Sequence, residues 1–181
     1  MIPLVDLTAQ YHSIKDEIDT AVHATLESGH FILGPAVSKF EESIAAYLGV
    51  EHAIGLASGT DALVLALRAL NVGAGDEVIV PAYTFPATAN AVELCGGRAV
   101  LVDVDPATFN LAPALVAGAV TERTKAVLAV HLFGRPVEWE ELQTAVPQEV
   151  PLVEDAAGAL GARYRDTPCG SLGVMGCLSF H

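Results

Sequence analysis

Short apolar segments that alternate with helical patterns constrain the fold of this chain more than any other feature. Near-continuous runs of Val, Ile, Leu and Ala are typical of parallel strands that are buried on both faces. We predict such strands at residues 53–57, 78–81, 99–103, 126–131 and 151–154. Segments with helical spacing lie between them, at residues 61–70, 87–94, 113–120 and 138–145. The alternation predicts an α/β fold with a three-layer, mostly parallel sheet.

Two amphipathic helices are predicted before the first strand. Apolar residues recur at helical spacing up to Leu26, and Gly29 follows as a terminator. The second helix begins at Pro35, a residue favoured in the first helical turn, and ends at Gly49. Since no linker, repeat or low-complexity stretch appears, the sequence predicts no domain boundary within residues 1–181.

Charge and cysteine content exclude several classes of function. The net charge of -13 disfavours binding to nucleic acid or anionic membranes. No apolar run approaches the ~20 residues that span a bilayer, and the N-terminus lacks a basic signal region, so we expect a cytoplasmic protein. Cys95, Cys169 and Cys177 form no C-x-x-C motif, and the histidines form no close ligand pair. We therefore expect neither a disulfide framework nor a metal site.

Polar and aromatic residues follow the predicted strands. Ligands of open parallel sheets bind outside the carboxyl ends of the strands. The residues at those positions are Ser58-Gly59-Thr60, Ala82-Tyr83-Thr84-Phe85, Asp103, Asp105, His131 and Glu154-Asp155. The expected site therefore lies at this edge of the sheet.

The triplet Ser58-Gly59-Thr60 stands between a predicted strand and a very apolar helix. Backbone N–H groups at a helix start, a glycine and two hydroxyls suit a phosphate group. Helix capping by Ser58 or Thr60 explains the same triplet equally well. The phosphate motifs G-x-x-x-x-G-K-[ST] and G-x-G-x-x-G are absent, which argues against a nucleotide triphosphatase or a nicotinamide-dependent dehydrogenase.

Asp155 and Phe85 each allow two interpretations. Asp155 follows a buried strand, where a carboxylate either holds a protonated ring nitrogen or caps the next helix. Phe85 either stacks on a planar cofactor or belongs to the core. With the phosphate triplet, these residues match the needs of pyridoxal phosphate (PLP), whose ring must stay protonated to accept electrons.

Motifs throughout the chain resemble those of the DegT-type, PLP-dependent sugar aminotransferases. The resemblance extends in order over the whole sequence. The motifs that carry it are IPLVDL, FILGPAVSKFEE, ASGTDALVLALRAL, GAGDEVIVPAYTFPATANAV, VDVDPATFNL, TKAVLAVHLFG, VEDAAGALGARY and GSLGVMGCLSFH. The resemblance implies the large domain of a fold-type-I PLP enzyme.

The resemblance also assigns roles to individual residues. Gly59 and Thr60 would bind the cofactor phosphate, with Ser58 close by and the hydroxyl of Ser179 contributing. Phe85 would stack on the ring, and Asp155 would contact its nitrogen. His181 would be a possible substrate contact.

The motif at the end of the sequence implies an incomplete enzyme. In the family, SF[YHF] is followed by x-x-K, and that lysine forms the Schiff base with the cofactor. Here Ser179-Phe180-His181 places the lysine about three residues beyond the chain end. Lys15, Lys39 and Lys125 do not match it, and Lys125 directly precedes a predicted strand. We therefore expect residues 1–181 to be the N-terminal part of the PLP-binding large domain, without the C-terminal small domain and with little activity alone.

The implied reaction of the full protein is a two-stage amino transfer. An amino donor, expected to be glutamate, gives its nitrogen to the cofactor, which then aminates a keto sugar that is linked to a nucleotide. Family members are dimers that share active-site residues across the interface, so a homodimer is expected.

Two other functions stay open from the sequence. One is a sugar dehydratase of the same family, which uses pyridoxamine phosphate and has histidine in place of the lysine. The other is a non-catalytic, cofactor-binding remnant. One departure from the family is Gly158, where Gln or His commonly stands near the ring hydroxyl. A lost hydrogen bond there costs about 1 kcal/mol.

Overall fold

The computed structural model describes residues 5–180, which form two compact units. Residues 5–47 and 51–55 make up the first unit, and residues 48–50 and 56–180 make up the second. His181 and the start of the IPLVDL motif lie outside the described residues. Among residues 5–180, no helix has both the length and the apolar character needed to cross a membrane.

The first unit is helical. Its elements are α1 (Leu7–Ser13), α2 (Lys15–Ser28) and most of α3 (Pro35–Leu48). Helix α1 was not predicted; the carboxylate of Asp6 caps it by accepting the N–H of Ala9 at 2.9 Å. Helix α2 ends at Gly29, whose φ of 66° is the left-handed conformation that glycine adopts without strain. The two amphipathic helices predicted in this region are confirmed.

The second unit contains a parallel sheet with helical crossovers. Its elements in chain order are α4 (Gly59–Ala69), β1 (Glu77–Pro81), α5 (Ala87–Leu94), β2 (Arg98–Val102), α6 (Pro113–Ala119), β3 (Thr124–Val130), a 3-10 turn (Leu132–Gly134), α7 (Trp139–Ala145), β4 (Leu152–Asp155), β5 (Arg163–Tyr164), β6 (Thr167–Pro168) and β7 (Met175–Cys177). The strand order is β2-β1-β3-β4-β7, and every neighbouring pair in it is parallel. Strands β5 and β6 form a separate antiparallel hairpin.

Alternate residues of the central strands pack against different helices. Val78 and Val80 of β1 lie in one apolar cluster with residues of α4 and α5. Ile79, between them, lies in a second cluster with residues of α6 and α7. The sheet is therefore covered on both faces, which confirms the predicted three-layer α/β fold.

One predicted strand segment is wrong. Residues 53–57 are not a strand, and the side chain of Ile54 is 77% exposed. The backbone N–H of Gly55 donates to the Glu41 carboxylate at 2.7 Å instead of to a neighbouring strand. Residues 175–177 form a strand that was not among the predicted segments. Strand β7 ends at Cys177, so Ser179 lies just beyond it.

A buried carboxylate links neighbouring strands at the amino edge of the sheet. Glu77, the first residue of β1, accepts a hydrogen bond from the Thr121 hydroxyl at 2.7 Å. The guanidinium groups of Arg123 and Arg98 contact the same carboxylate at 2.6 and 3.2 Å. Because Arg98 begins β2 and Thr121 and Arg123 precede β3, the cluster joins the starts of three adjacent strands. Lys125 lies at this edge as well, as the second residue of β3.

Candidate functional site

Asp155 and Ser179 stand on neighbouring strand ends at the carboxyl edge of the sheet. Asp155 is the last residue of β4 and pairs with Cys177, the last residue of β7. The backbone N–H of Ala156 donates to the carbonyl of Cys177 at 2.8 Å, which continues the pairing by one step. Ser179 follows Cys177 by two residues. The sheet register therefore brings these two predicted site residues into one region.

Gly59 connects this region to the start of α4. A Cβ atom added at Gly59 would lie 2.8 Å from the Cβ of Ser179 and 3.2 Å from its Oγ. Such contacts are closer than a side chain tolerates, so only glycine permits this approach. The first turn of α4, with backbone N–H groups that have no partner within the helix, therefore faces Ser179. Thr60 belongs to this same turn.

Ser58 has the capping role that the sequence left open. Its hydroxyl oxygen accepts the N–H of Asp61 at 3.1 Å, and the hydroxyl donates to the Asp61 carboxylate at 2.9 Å. Its backbone is extended, as is typical of a residue directly before a helix. Ser58 thus fixes where α4 begins and, with it, the direction of the first N–H groups.

The side chain of Asp155 is buried, and hydrogen bonds hold its carboxyl group in place. The residue is 6% exposed. Its Oδ2 accepts from the Thr88 hydroxyl at 2.8 Å, and its Oδ1 accepts from the N–H of Ala157 at 3.3 Å. Burial raises the pKa of Asp155, and the hydrogen bonds from Thr88 and Ala157 oppose that rise. A carboxylate in this setting gains from a further N–H donor with positive charge.

Thr88 is a site residue that the sequence did not reveal. It lies in the first turn of α5, is fully buried, and its Oγ1 is 3.1 Å from the Oγ1 of Thr84. Thr88 and Asp155 are 67 residues apart in the chain, so no local motif links them. The only sequence signal was that Thr84 follows a predicted strand.

A second buried carboxylate, Glu154, stabilises the region behind Asp155. Glu154 accepts from the backbone N–H groups of Gly170, Leu172 and Gly173 at 2.6, 2.6 and 2.8 Å. His131 Nε2 lies 2.8 Å from the same carboxylate. Because His131 Nδ1 accepts the N–H of Val137 at 3.1 Å, the ring proton is on Nε2 and is donated to Glu154. Both residues were candidates from the sequence, and both have a structural role.

Exposed aromatic side chains surround the carboxyl edge. Phe85, four residues after β1, is 74% exposed and is therefore not a core residue. The rings of Tyr83 and Phe109 are 5.8 Å apart. Phe133, in the turn after β3, is exposed and has a φ of 54°, a conformation that is rare for a non-glycine residue. Each of these rings lies in a connection that leaves the carboxyl end of a strand: β1, β2 or β3.

The remaining candidates have local roles or open surroundings. Asp103 accepts the N–H of Val104, and Asp105 accepts the N–H groups of Ala107 and Thr108, so both shape turns. A Cβ at Gly158 would have no neighbour within 4 Å, which leaves room for a side chain there. Within residues 5–180, no group of three His, Cys, Asp or Glu side chains is placed to hold a metal ion.

Comparison with known proteins identifies the family to which the chain belongs. The sequence profile of the DegT/DnrJ/EryC1/StrS aminotransferase family matches residues 12–181. A pleiotropic regulatory protein of Geobacillus stearothermophilus is 44% identical over 180 residues, which are 99% of this chain and 48% of that protein. The UDP-2-acetamido-2-deoxy-3-oxo-D-glucuronate aminotransferase of Pseudomonas aeruginosa is 42% identical over 181 residues, or 99% of this chain and 50% of the relative.

A solved structure matches the fold closely. DesV of S. venezuelae superposes with a TM-score of 0.91 at 44% identity, over 94% of this chain and 46% of DesV. The chain thus spans about half the length of the proteins it matches. The fold is that of the large domain of fold-type-I PLP enzymes. The chain belongs to the DegT/DnrJ/EryC1/StrS aminotransferase family.

Proposed function

We propose that the protein is a PLP-dependent aminotransferase that transfers an amino group from a donor, expected to be glutamate, to a keto sugar linked to a nucleotide. Family membership and the names of the sugar aminotransferases among its relatives support this function. The observation that carries it is the placement of a buried carboxylate, Asp155, beside a strand end that meets the start of α4 at Gly59 and Ser179.

Asp155 fits the ring nitrogen of the cofactor. When bound, PLP supplies the electron sink that amino transfer requires. A buried carboxylate whose pKa is raised by burial gains most from a protonated nitrogen partner. Asp155 therefore holds a proton on the ring nitrogen, and this is its proposed catalytic role.

The start of α4 fits the cofactor phosphate. The proposed ligands are the backbone N–H groups of Gly59 and Thr60 and the hydroxyl of Ser179, with Ser58 fixing the helix start. The partial positive charge of a helix N-terminus favours a dianion. The absence of a side chain at Gly59 keeps this position open, because any Cβ would collide with Ser179.

The ring of Phe85 is proposed to stack on the cofactor. Its 74% exposure leaves an aromatic face available at the carboxyl end of β1. Stacking of aromatic rings contributes about 0.5–1.5 kcal/mol beyond the buried area. Lys125 lies at the opposite, amino end of β3 and has no part in the proposed site.

The proposed partners are a nucleotide-linked keto sugar, an amino donor and a second copy of the protein. The homodimer rests on the family alone. Light scattering coupled to size-exclusion chromatography would test it, and a monomer at micromolar concentration would contradict it.

Cofactor titration tests the proposed function directly. PLP added to the purified protein should bind saturably, as measured by its absorbance and by the fluorescence of Trp139. The variant Asp155→Asn keeps the shape of the side chain but loses its charge, and should bind PLP at least about tenfold more weakly. Asp103→Asn removes a carboxylate from the end of another strand, β2, and should bind normally. Equal affinities for all three proteins would contradict the proposal.

Product analysis tests the transfer itself. Glutamate and a panel of nucleotide-linked keto sugars are incubated with PLP and the longer protein of which residues 1–181 are expected to be the N-terminal part. The 2-oxoglutarate and the amino sugar are then quantified. Formation of both in equal amounts supports an aminotransferase. Loss of a sugar hydroxyl without formation of a matching amount of amino sugar would instead identify a dehydratase.

A further inference from the structure

We propose that Thr84 and Thr88 form a hydroxyl relay that holds the Asp155 carboxylate in position for the ring nitrogen of the cofactor. This inference rests on the proposed function. Neither threonine contacts the cofactor in the proposal, so both are positioning residues.

The hydrogen bonds define one direction for the relay. Asp155 Oδ2 has no proton to give as a carboxylate, so the Thr88 hydroxyl donates to it at 2.8 Å. With its proton committed, Thr88 Oγ1 can only accept from Thr84, whose Oγ1 is 3.1 Å away. The proton order is therefore Thr84 to Thr88 to Asp155. One carboxylate oxygen is thereby fixed at the end of a two-hydroxyl chain.

The relay suits a carboxylate that must keep its charge. A lysine or arginine at the position of Thr88 would orient Asp155 but would also neutralise it. A hydroxyl donor orients Oδ2 and leaves a full negative charge for a protonated ring. Oδ1 accepts a long hydrogen bond, 3.3 Å from the Ala157 N–H, and a carboxylate oxygen has the capacity to accept another.

The other titratable groups near Asp155 do not replace this function. His131 contacts Asp155 through its backbone N–H, at 3.0 Å from the Asp155 carbonyl, while its ring proton faces Glu154. The Glu154 carboxylate already accepts hydrogen bonds from four other donors. Cys177 pairs with Asp155 across the sheet, and burial raises the pKa of its thiol to about 12, so it carries no charge at neutral pH.

The test compares two cofactors on matched variants of the whole protein. Thr88→Val removes the hydroxyl with little change of shape, and Thr88→Ser restores it. The probes are PLP and its 1-deaza analogue, which lacks the ring nitrogen. We expect Thr88→Val to weaken PLP binding about tenfold and to leave binding of the analogue within about twofold, and Thr88→Ser to bind both like the wild type.

A cofactor-free measurement separates the relay from the cofactor site. The carboxyl carbon of Asp155 is followed by NMR as a function of pH. We expect its titration midpoint to move upward in Thr88→Val and not in Thr88→Ser. Should Thr88→Val fail to fold, Thr84→Val is measured instead, and a smaller upward shift is expected because Thr88 keeps its bond to Asp155.

The outcomes distinguish the two proposals. If the wild-type protein does not bind PLP, the proposed function is wrong. The proposed role of the relay is then wrong as well, because it depends on the bound cofactor. If the wild type binds PLP and Thr88→Val binds it equally well, only the relay is wrong. Equal weakening of PLP and of the deaza analogue would show a general structural role and would also overturn the relay.

Discussion

At the scale of single residues, Gly59 gives the most direct test of how the site is built. Its replacement by alanine should destabilise the protein by about 1–3 kcal/mol, although alanine favours helices, because the new methyl group meets the Cβ of Ser179 at 2.8 Å. Urea denaturation measures the change in the free energy of unfolding.

Gly118 in α6 is the matched control for this substitution. A Cβ there would meet nothing within 4 Å, so Gly118→Ala should stabilise the protein by about 0.5 kcal/mol or more. A Gly59→Ala variant as stable as Gly118→Ala would show that the start of α4 does not pack against Ser179.

Single residues also show which parts of the site a sequence can reveal. Asp155, Phe85, Gly59 and Ser179 were identified because they occur in motifs or directly after strands. The structure places Asp155, Gly59 and Ser179 in one region, and the roles of all four residues in binding stay predictions. Thr88 was missed because its partner, Asp155, is 67 residues away in the chain. A side-chain contact over that separation produces no periodic pattern in the sequence.

At the scale of elements, most boundaries followed from local chemistry. Gly29 ends α2 and Pro35 begins α3, as predicted from their backbone preferences. The predicted strand at residues 53–57 was wrong because an apolar run becomes a strand only where a neighbouring strand accepts its hydrogen bonds. Helix α1 was missed because seven residues provide too little periodicity to recognise.

The loop that follows β6 depends on β4 through Glu154. Glu154→Gln should lower the free energy of unfolding by at least about 2 kcal/mol, since an amide cannot accept the buried N–H donors of both oxygens. Glu140→Gln, which breaks an exposed ion pair with Arg165, should cost less than about 1 kcal/mol. Chemical denaturation compares them, and similar losses for both variants would contradict the role of Glu154.

The Glu77 cluster, which consists of Glu77, Thr121, Arg123 and Arg98 at the start of β1, makes stability depend on pH. Hydrogen bonds from the Thr121 hydroxyl and then from Arg123 lower the pKa of Glu77. A carboxyl group with a folded pKa below its unfolded pKa stabilises the fold above the unfolded value. This contribution is lost as the pH falls through the folded value.

Melting temperatures of the wild type and Glu77→Gln should therefore differ at pH 7 and converge as the pH is lowered toward 3. Glu149→Gln, at an exposed position, serves as the control and should follow the wild type throughout. A difference between wild type and Glu77→Gln that is independent of pH would exclude an electrostatic origin.

At the scale of the whole molecule, the two units should differ in local stability. Helices α1 and α2 contain no buried residue, whereas five of the seven residues of β3 are buried. Amide hydrogen exchange should therefore be fast throughout α1 and α2 and slowest in β3, because protection follows burial and tertiary packing. Equal protection in α2 and β3 would contradict this difference.

The Glu77 cluster and Asp155 occupy opposite edges of the same sheet. A strand of five residues such as β1 is about 16 Å long, which exceeds the ~7–10 Å within which substitutions usually couple. Substitutions at such separations add independently. In evolution or in protein engineering, substitutions around Glu77 can therefore change the thermal stability of this protein. Substitutions around Asp155 can change its chemistry separately.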